Sequence, residues 1–262
     1  MTTTQDSTKF TAETLLIELD KIRPEFRTPG FWQTLDSNSS QWAVDISVGF
    51  FWAAAKKRLP HWRSEYRSLR SADLLASFDL PDFVSKHSDS IINKLLRQHK
   101  KQKQTLQELI PDQGPPIPML GDIVRTRIRC QYIDGVEFLA DKLQSLGDEL
   151  GVSPKRERKG SIEGYFAQHI NIRHEVNYRE AGHGNLTSIA CEIQIASSMA
   201  SQMWQTAHPL YEIVRSDISS PDNIWQWTPN DPRFISNQLG HMLHLADGLL
   251  VQLRDSNKSK KE

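Results

Sequence analysis

The sequence contains only two cysteines and carries no net charge, since lysine plus arginine and aspartate plus glutamate each total 32. Cys130 and Cys191 lack metal-ligand spacing and lie inside apolar, strand-like runs, so we expect buried free thiols in a reducing cytoplasm. The charge balance argues against a surface devoted as a whole to nucleic acid or membrane. No uncharged apolar run approaches the ~18 residues of a membrane span, and we predict no signal peptide.

Several sequence motifs of common enzyme and metal-site classes are also missing. The chain has no glycine-rich phosphate loop, no HExxH, no paired CxxC and no GxSxG. P-loop enzymes, zinc proteases, zinc fingers and α/β-hydrolases therefore lose support. With 262 residues the chain can still bury a sizeable core without disulfides or metal.

The pattern of apolar residues predicts helices in the first third of the chain. Thr11 is a candidate cap of the first helix, a second helix covers 40–59 and ends before Pro60, a third begins near His61, and a fourth covers 81–109. Residues 111–118 hold four prolines and cannot be helical.

Beyond the prolines, alternating segments of period 2 and period 3.6 predict an α+β fold with a small sheet. We predict strands at 126–132, 164–176 and 186–195, and helices at 134–150, 197–215 and from Pro232 to Leu253. As domains we predict an N-terminal helical region at 1–80 that packs on a core at 81–215, followed by a C-terminal helix and tail at 216–262.

Polar side chains on one face of the predicted strands indicate the floor of a cleft. In 186–195, alternate residues place Glu192 and Gln194 opposite the apolar face. Arg127 and His169 lie on the polar sides of the other two strands, and Asp122, just before the first strand, can hold a divalent cation at the cleft edge. A lone strand glutamate is more commonly a solvent-facing residue, and that alternative stays open here.

Two further features have an ordinary structural explanation beside a functional one. Trp204, His208 and Tyr211 share one helix face, which more often reflects core packing than function. The basic runs at 97–103 and 154–159 are usually solvated faces, although they could also grip an RNA backbone.

Five segments, in this order, resemble the synthetase domain of the RelA/SpoT family of (p)ppGpp synthetases. They are Lys86, Ser90 and Lys94 of a basic motif; Asp122-Ile-Val-Arg-Thr-Arg127-Ile; Gly164-Tyr165-Phe-Ala-Gln-His169; Glu192-Ile-Gln194-Ile; and Trp204, His208 and Tyr211. The resemblance covers roughly residues 80–215. It implies a nucleotidyltransferase-like mixed five-stranded sheet flanked by helices.

The resemblance also implies a reaction: the β,γ-pyrophosphoryl group of ATP moves to the 3′-OH of GDP or GTP, with Mg²⁺ as the cofactor. The implied roles are Asp122 and Glu192 as catalytic and metal-binding residues, Lys86, Ser90, Lys94 and Arg127 for ATP, and Tyr165, His169, Gln194 and His208 for the acceptor. The Tyr165 ring would stack on the acceptor base. The missing hydrolase and regulatory segments indicate a stand-alone synthetase.

Departures from the family pattern leave other functions open. Val84 stands where the family has an arginine, Arg125 where a small residue is usual, and Phe166 where arginine is usual. One alternative is a toxin that pyrophosphorylates the tRNA 3′ end or an adenine nucleotide, and an antitoxin protein would then be a partner. Another is a catalytically impaired nucleotide-binding module. A homo-oligomer is a further expectation, and a membrane partner is not expected.

Overall fold

The computed structural model describes residues 11–102, 122–160, 164–180, 183–206 and 223–259. Helices precede the sheet, lie between its strands and follow it, as predicted for an α+β fold. The helices are α1 (Ala12–Ile22), α2 (Pro29–Val48), α3 (Phe50–Arg70), α4 (Ser88–Gln102), α5 (Ile133–Glu149), α6 (described over residues 198–206) and α7 (Pro232–Ser259), with 3₁₀ turns at Pro24–Arg27 and Asn223–Trp227.

The described strands form one mixed sheet of five. They are β1 (Val84–Ser85), β2 (Val124–Cys130), β3 (Lys155–Lys159), β4 (Ala167–Glu180) and β5 (His183–Ser197). Their order is β1-β2-β5-β4-β3. The β2–β5 pair is parallel and the other three pairs are antiparallel. The five-stranded mixed sheet confirms the predicted fold class.

One face of this sheet is the centre of the hydrophobic core. Its side chains are at most 2% exposed: Val124, Ile128 and Cys130 of β2, Ile170 and Ile172 of β4, and Ile189, Cys191, Ile193 and Ile195 of β5. Residues of α1, α2, α3 and α5 belong to the same apolar cluster. The alternation predicted for β2 and β5 is therefore confirmed.

Most aromatic residues of the N-terminal helices pack in this core. The buried ones are Phe31, Trp42, Phe51 and Trp52. The Trp42 indole Nε1 donates a hydrogen bond to the Asn177 carbonyl of β4 at 2.8 Å, whereas Phe50 is 58% exposed. The predicted domain boundaries stay a prediction.

The helix break predicted at Pro60 is wrong. The chain breaks at Gly49, and α3 continues through Pro60. Buried residues at helical spacing flank the proline, including Leu59 and Trp62. Their packing holds the helix together despite the hydrogen bond that proline removes.

The predicted start of the fourth helix is also wrong, because α4 begins at Ser88 and Lys86 lies just after β1. The Ser88 backbone N–H and hydroxyl both donate to the Asp36 carboxylate, at 2.7 and 2.9 Å. Lys86 N–H donates to the Ile123 carbonyl at 2.8 Å. These tertiary contacts set the boundary.

Strand β3 was not predicted, since its sequence KRERK reads as a basic run rather than as an apolar alternation. It pairs with β4 at the edge of the sheet. Arg156 lies 2.5 Å from Asp141 and 2.7 Å from Glu137, and Arg158 also pairs with Glu137. Two of the basic side chains that could have contacted an RNA backbone are thus paired with carboxylates of α5.

Both cysteines are free and buried, as predicted. Burial raises the pKa of Cys191 to about 12 and raises that of Cys130 as well. None of the described helices combines the length and the apolarity that a membrane-spanning helix needs.

Candidate active site

Glu192 lies on the polar face of β5 and is held by two side chains. Its Oε1 lies 2.8 Å from His169 Nδ1 on β4, and Gln194 Nε2 donates to its Oε2 at 2.6 Å. Burial opposes ionisation, but the His169 and Gln194 contacts outweigh it and hold the pKa of Glu192 below its ordinary value. Glu192 is therefore an oriented carboxylate at neutral pH rather than a solvent-facing one.

Arg127 extends this network onto the neighbouring strand. It lies opposite Gln194 in the parallel β2–β5 register. Its Nε and Nη2 donate to Gln194 Oε1 at 3.1 and 3.0 Å. Burial lowers the pKa of Arg127, but a guanidinium keeps its charge in proteins. A hydrogen-bonded chain thus links Arg127, Gln194, Glu192 and His169.

Asp122 stands in the turn before β2 and forms ion pairs with two lysines. Lys86 follows β1 and Lys94 lies on α4, and each contacts one carboxylate oxygen of Asp122. Burial opposes ionisation of Asp122, but the two ammonium groups outweigh it and lower its pKa from 3.8 to about 2. The pKa of Lys86 is itself lowered by burial, against the pull of Asp122. The cluster carries a net positive charge.

Tyr165, just before β4, lies on the same side as His169. Its hydroxyl is 3.5 Å from His169 Nε2, and its ring centroid is 4.5 Å from that of Trp204 on α6. The residue is 9% exposed, and burial raises the pKa of its phenol to about 12. The tyrosine therefore adjoins the His169 end of the network, and Trp204 already packs on its ring.

One predicted site residue that the structure describes, Ser90, lies apart from these contacts. Ser90, in the first turn of α4, is exposed, and its backbone N–H donates to His87 O at 2.9 Å. His208 falls outside the described residues, as does Tyr211, so their predicted places on the helix of Trp204 stay a prediction.

A cavity of about 320 Å³ lies elsewhere, between α5, α7 and the start of β4. Gln168 and Phe166, which line it, have the opposite strand parity to His169. The Phe166 ring stacks on His244 of α7 at 3.7 Å between centroids. Neither Asp122 nor Glu192 lines this cavity, so the cavity is separate from the candidate active site.

No protein-family model and no curated protein matches this chain, but several solved structures do. Small alarmone synthetase 1 of Bacillus subtilis has a TM-score of 0.53 at 14% identity, over 87% of this chain and 98% of that one. A structure of it bound to its product pppGpp gives 0.51 at 16%, over 83% and 98%. A GTP pyrophosphokinase family protein of Streptococcus pneumoniae gives 0.50 at 17%, over 87% and 95%.

The chain has the fold of the small alarmone synthetases. The RelA/SpoT-like architecture predicted from five short motifs is thereby confirmed for the fold. The sequence identities are low, so the roles of individual residues rest on their geometry in this chain.

The carboxylates of Asp122 and Glu192 fit a magnesium ion whose other ligands are phosphate oxygens. In the part of the chain that the structure describes, no three His, Cys, Asp or Glu side chains converge to cage a metal ion. Asp122 just precedes β2, and Glu192 lies on β5 opposite Arg125, the second residue of β2, so the two carboxylates flank the start of the same strand. Mg²⁺ is commonly held by one or two carboxylates plus substrate phosphates, which matches this pair.

The structure brings most of the predicted site residues onto one face of the sheet. It also places Arg125 on this face, in register with Glu192. The sequence had identified Arg125 only as a departure from the family pattern. Its signal was present in the sequence, because it has the same strand parity as Arg127.

Proposed function

We propose that the protein is a pyrophosphokinase that makes (p)ppGpp from ATP and GDP or GTP. The 3′ oxygen of the acceptor bonds to the β-phosphorus of ATP, the bond from that phosphorus to the α,β-bridging oxygen breaks, and AMP leaves. The 3′-hydroxyl proton passes to a carboxylate. The observation that carries this proposal is the charged face itself, where Lys86, Asp122 and Lys94 form a cationic cluster just before β2 and the neighbouring strand β5 carries the oriented carboxylate of Glu192.

The cationic cluster suits the donor. A triphosphate approaching Lys86 and Lys94 meets two ammonium groups whose present partner is one carboxylate, Asp122. Phosphate oxygens can replace that carboxylate on one or both lysines, and preorganised cations stabilise the charge that develops during transfer. Arg127 lies on the same face of the sheet. It donates to Gln194 through Nε and Nη2, so Nη1 can still donate to a phosphate oxygen.

Glu192 suits the acceptor. Both of its oxygens are oriented by donors, one from His169 and one from Gln194. It can accept the hydrogen bond of the 3′-hydroxyl and take its proton as the new bond forms, which is the usual task of a positioned carboxylate. His169 also contacts Tyr165, whose ring we propose as the platform for the acceptor base.

We propose Mg²⁺ as the cofactor, with Asp122 and Glu192 as its protein ligands. A bound Mg²⁺ would neutralise charge on the phosphates. Either lysine would then release Asp122 for the metal and turn to the phosphate chain, since each contacts a different oxygen of that carboxylate.

Two features that favoured tRNA as the acceptor carry less weight in the folded protein. Phe166 stacks on His244 on the side away from Glu192, so this departure does not alter the acceptor side. The basic run at 154–159 has Arg156 and Arg158 paired with carboxylates of α5. Guanosine nucleotides are therefore the proposed acceptors.

The test is transfer of label from γ-labelled ATP with Mg²⁺ to GDP, GTP, ATP or deacylated tRNA, with AMP measured as the second product. We expect label on guanine nucleotides, at a rate that the Glu192→Gln variant lowers by roughly 10²-fold or more. Label on tRNA or on an adenine nucleotide alone would establish the toxin alternative instead. A protein that binds nucleotide but labels no acceptor would be the impaired binding module.

A further inference from the structure

The short strand β1 places two unusual positions opposite each other. Val84 pairs with Arg125 in the antiparallel β1–β2 register. Directly paired residues of neighbouring strands have their side chains on the same face. The family pattern has an arginine at the position of Val84 and a small residue at that of Arg125, so this chain carries the two in reverse.

The face that Arg125 shares is the charged one. Its partner on the other side, in the parallel β2–β5 register, is Glu192. The next residue of β2 on this face is Arg127, and Lys86 follows Val84 by two positions. Arg125 therefore lies between the cationic cluster of Lys86, Asp122 and Lys94 and the hydrogen bonds that hold Glu192.

Arg125 is half-buried, and no carboxylate of the described residues forms an ion pair with it. Within the described ranges it makes no hydrogen bond and no ion pair, in contrast to Arg127, Lys86 and Lys94. After burial, the main cause, its charge helps to lower the pKa of Lys86 and of Arg127. A partly desolvated guanidinium among other cations is unfavourable unless an anion joins it.

The position of Arg125 on the charged face, its partial burial and its lack of an ion pair among the described residues together point to an anionic ligand. The guanidinium fork matches phosphate oxygens in a bidentate arrangement, which is why arginine recurs at phosphate sites. Since Arg125 neighbours β1 and Lys86, the phosphates it faces are those of the donor.

We propose that Arg125 binds the polyphosphate chain of ATP and supplies, from β2, the guanidinium that Val84 cannot supply from β1. This inference rests on the proposed function in naming the donor. Arg125 would then be a donor-binding residue particular to this arrangement of the two strands.

The test measures binding, which separates this inference from the proposed reaction. Affinity for a non-hydrolysable ATP analogue, α,β-methylene ATP with Mg²⁺, is measured by calorimetry for the wild type, Arg125→Gln and Arg125→Ala. Loss of a charge-assisted bidentate contact is expected to weaken binding about 10- to 100-fold. Arg125→Lys, which keeps the charge but not the fork, should fall between.

Arg129 provides a matched control. It lies on the same strand and face four residues after Arg125, is exposed, and pairs in register with Ala196 rather than with Glu192. Arg129→Gln should bind the analogue as the wild type does. Melting temperatures of all variants check that none has lost its fold.

A transplant of the arginine tests the strand geometry itself. The double variant Val84→Arg with Arg125→Ala should recover most of the affinity that Arg125→Ala loses, because the two positions face the same space. No recovery in a folded double variant would contradict the cross-strand substitution.

The remaining outcomes are decisive in either direction. If folded Arg125→Gln binds the ATP analogue as well as Arg129→Gln does, or weakens only GDP binding, the inference is wrong. If the wild type binds the analogue but labels no acceptor, the proposed function fails while the role of Arg125 is still decided by binding. If the wild type does not bind the analogue, both fail.

Discussion

The two faces of the central sheet have opposite chemistry although they come from the same strands. On β5, Cys191, Ile193 and Ile195 are fully buried on one face. On the other, Glu192 and Gln194 take part in a hydrogen-bonded chain with residues of both neighbouring strands. Residues of α1, α2, α3 and α5 belong to the same core cluster as the apolar face, whereas the charged side chains of the polar face contact mainly one another.

The difference separates stability from chemistry. Apolar burial drives folding, whereas taking charges partly out of water costs free energy that their mutual contacts offset only in part. The charged face is therefore expected to add little to the free energy of unfolding and much to catalysis. Four variants or conditions test this division, from the largest expected effect to the smallest.

On the apolar face, Ile193→Ala should destabilise the protein by about 2–5 kcal/mol, because it leaves a cavity at a fully buried position. Urea unfolding measures the loss, and Ile193→Val is the control, at about 0.5–1.5 kcal/mol. Activity per folded molecule should stay close to that of the wild type. A stable but inactive Ile193→Ala protein would break the comparison.

On the charged face, Glu192→Gln and Asp122→Asn should each lower kcat by roughly 10²-fold or more, since in the proposed reaction both carboxylates act on the transition state. Both substitutions preserve shape. Glu192→Gln should therefore change the melting temperature little, whereas Asp122→Asn should lower it, because it removes the charge that pairs with Lys86 and Lys94. Steady-state kinetics with ATP and GDP measures the effect. Near-full activity of Glu192→Gln would show that the network around it is structural.

Tyr165 lies where the two roles meet, because its ring packs on Trp204. Tyr165→Ala should raise the acceptor KM roughly 5- to 150-fold through loss of stacking, with the KM for ATP little changed. Tyr165→Phe should have a much smaller effect, since it keeps the ring. Tyr165→Ala is also expected to lower the melting temperature, because the packing on Trp204 is lost.

Phe166→Ala is the matched control for that loss of stability. Phe166 is the next residue, but it stacks on His244 on the opposite side. It should lower the melting temperature without changing the acceptor KM. Equal changes in both KM values for Tyr165→Ala would mean that Tyr165 only packs.

The smallest expected effect is a dependence of stability on acid. The carboxyl of Asp122 has a pKa of about 2 in the folded chain, against 3.8 ordinarily. Its contribution is complete above about pH 5 and is lost as the pH falls towards 2, by on the order of 1–2 kcal/mol. Urea unfolding at several pH values measures it, and Asp122→Asn should remove this part of the dependence. An unchanged profile would place the stabilising charges elsewhere.

Local patterns were enough to predict β2, α5, β5 and the start of α7, because each has a clear period and clear ends. The parity that turned Glu192 away from the core followed from the same alternation. Prediction failed where a tertiary contact overrode the local signal: at Pro60 inside α3, at Ser88 held by Asp36, and at the basic strand β3 paired with α5 carboxylates.

The sequence by itself determined which side chains of a strand share a face, since that depends only on the two-residue repeat of an extended chain. It also supplied the order of the five motifs. Only the tertiary structure decided which strands are neighbours and in what register. That choice placed Lys86 and Lys94 on Asp122 and Arg125 opposite Val84, because strand pairing depends on contacts between residues far apart in the chain.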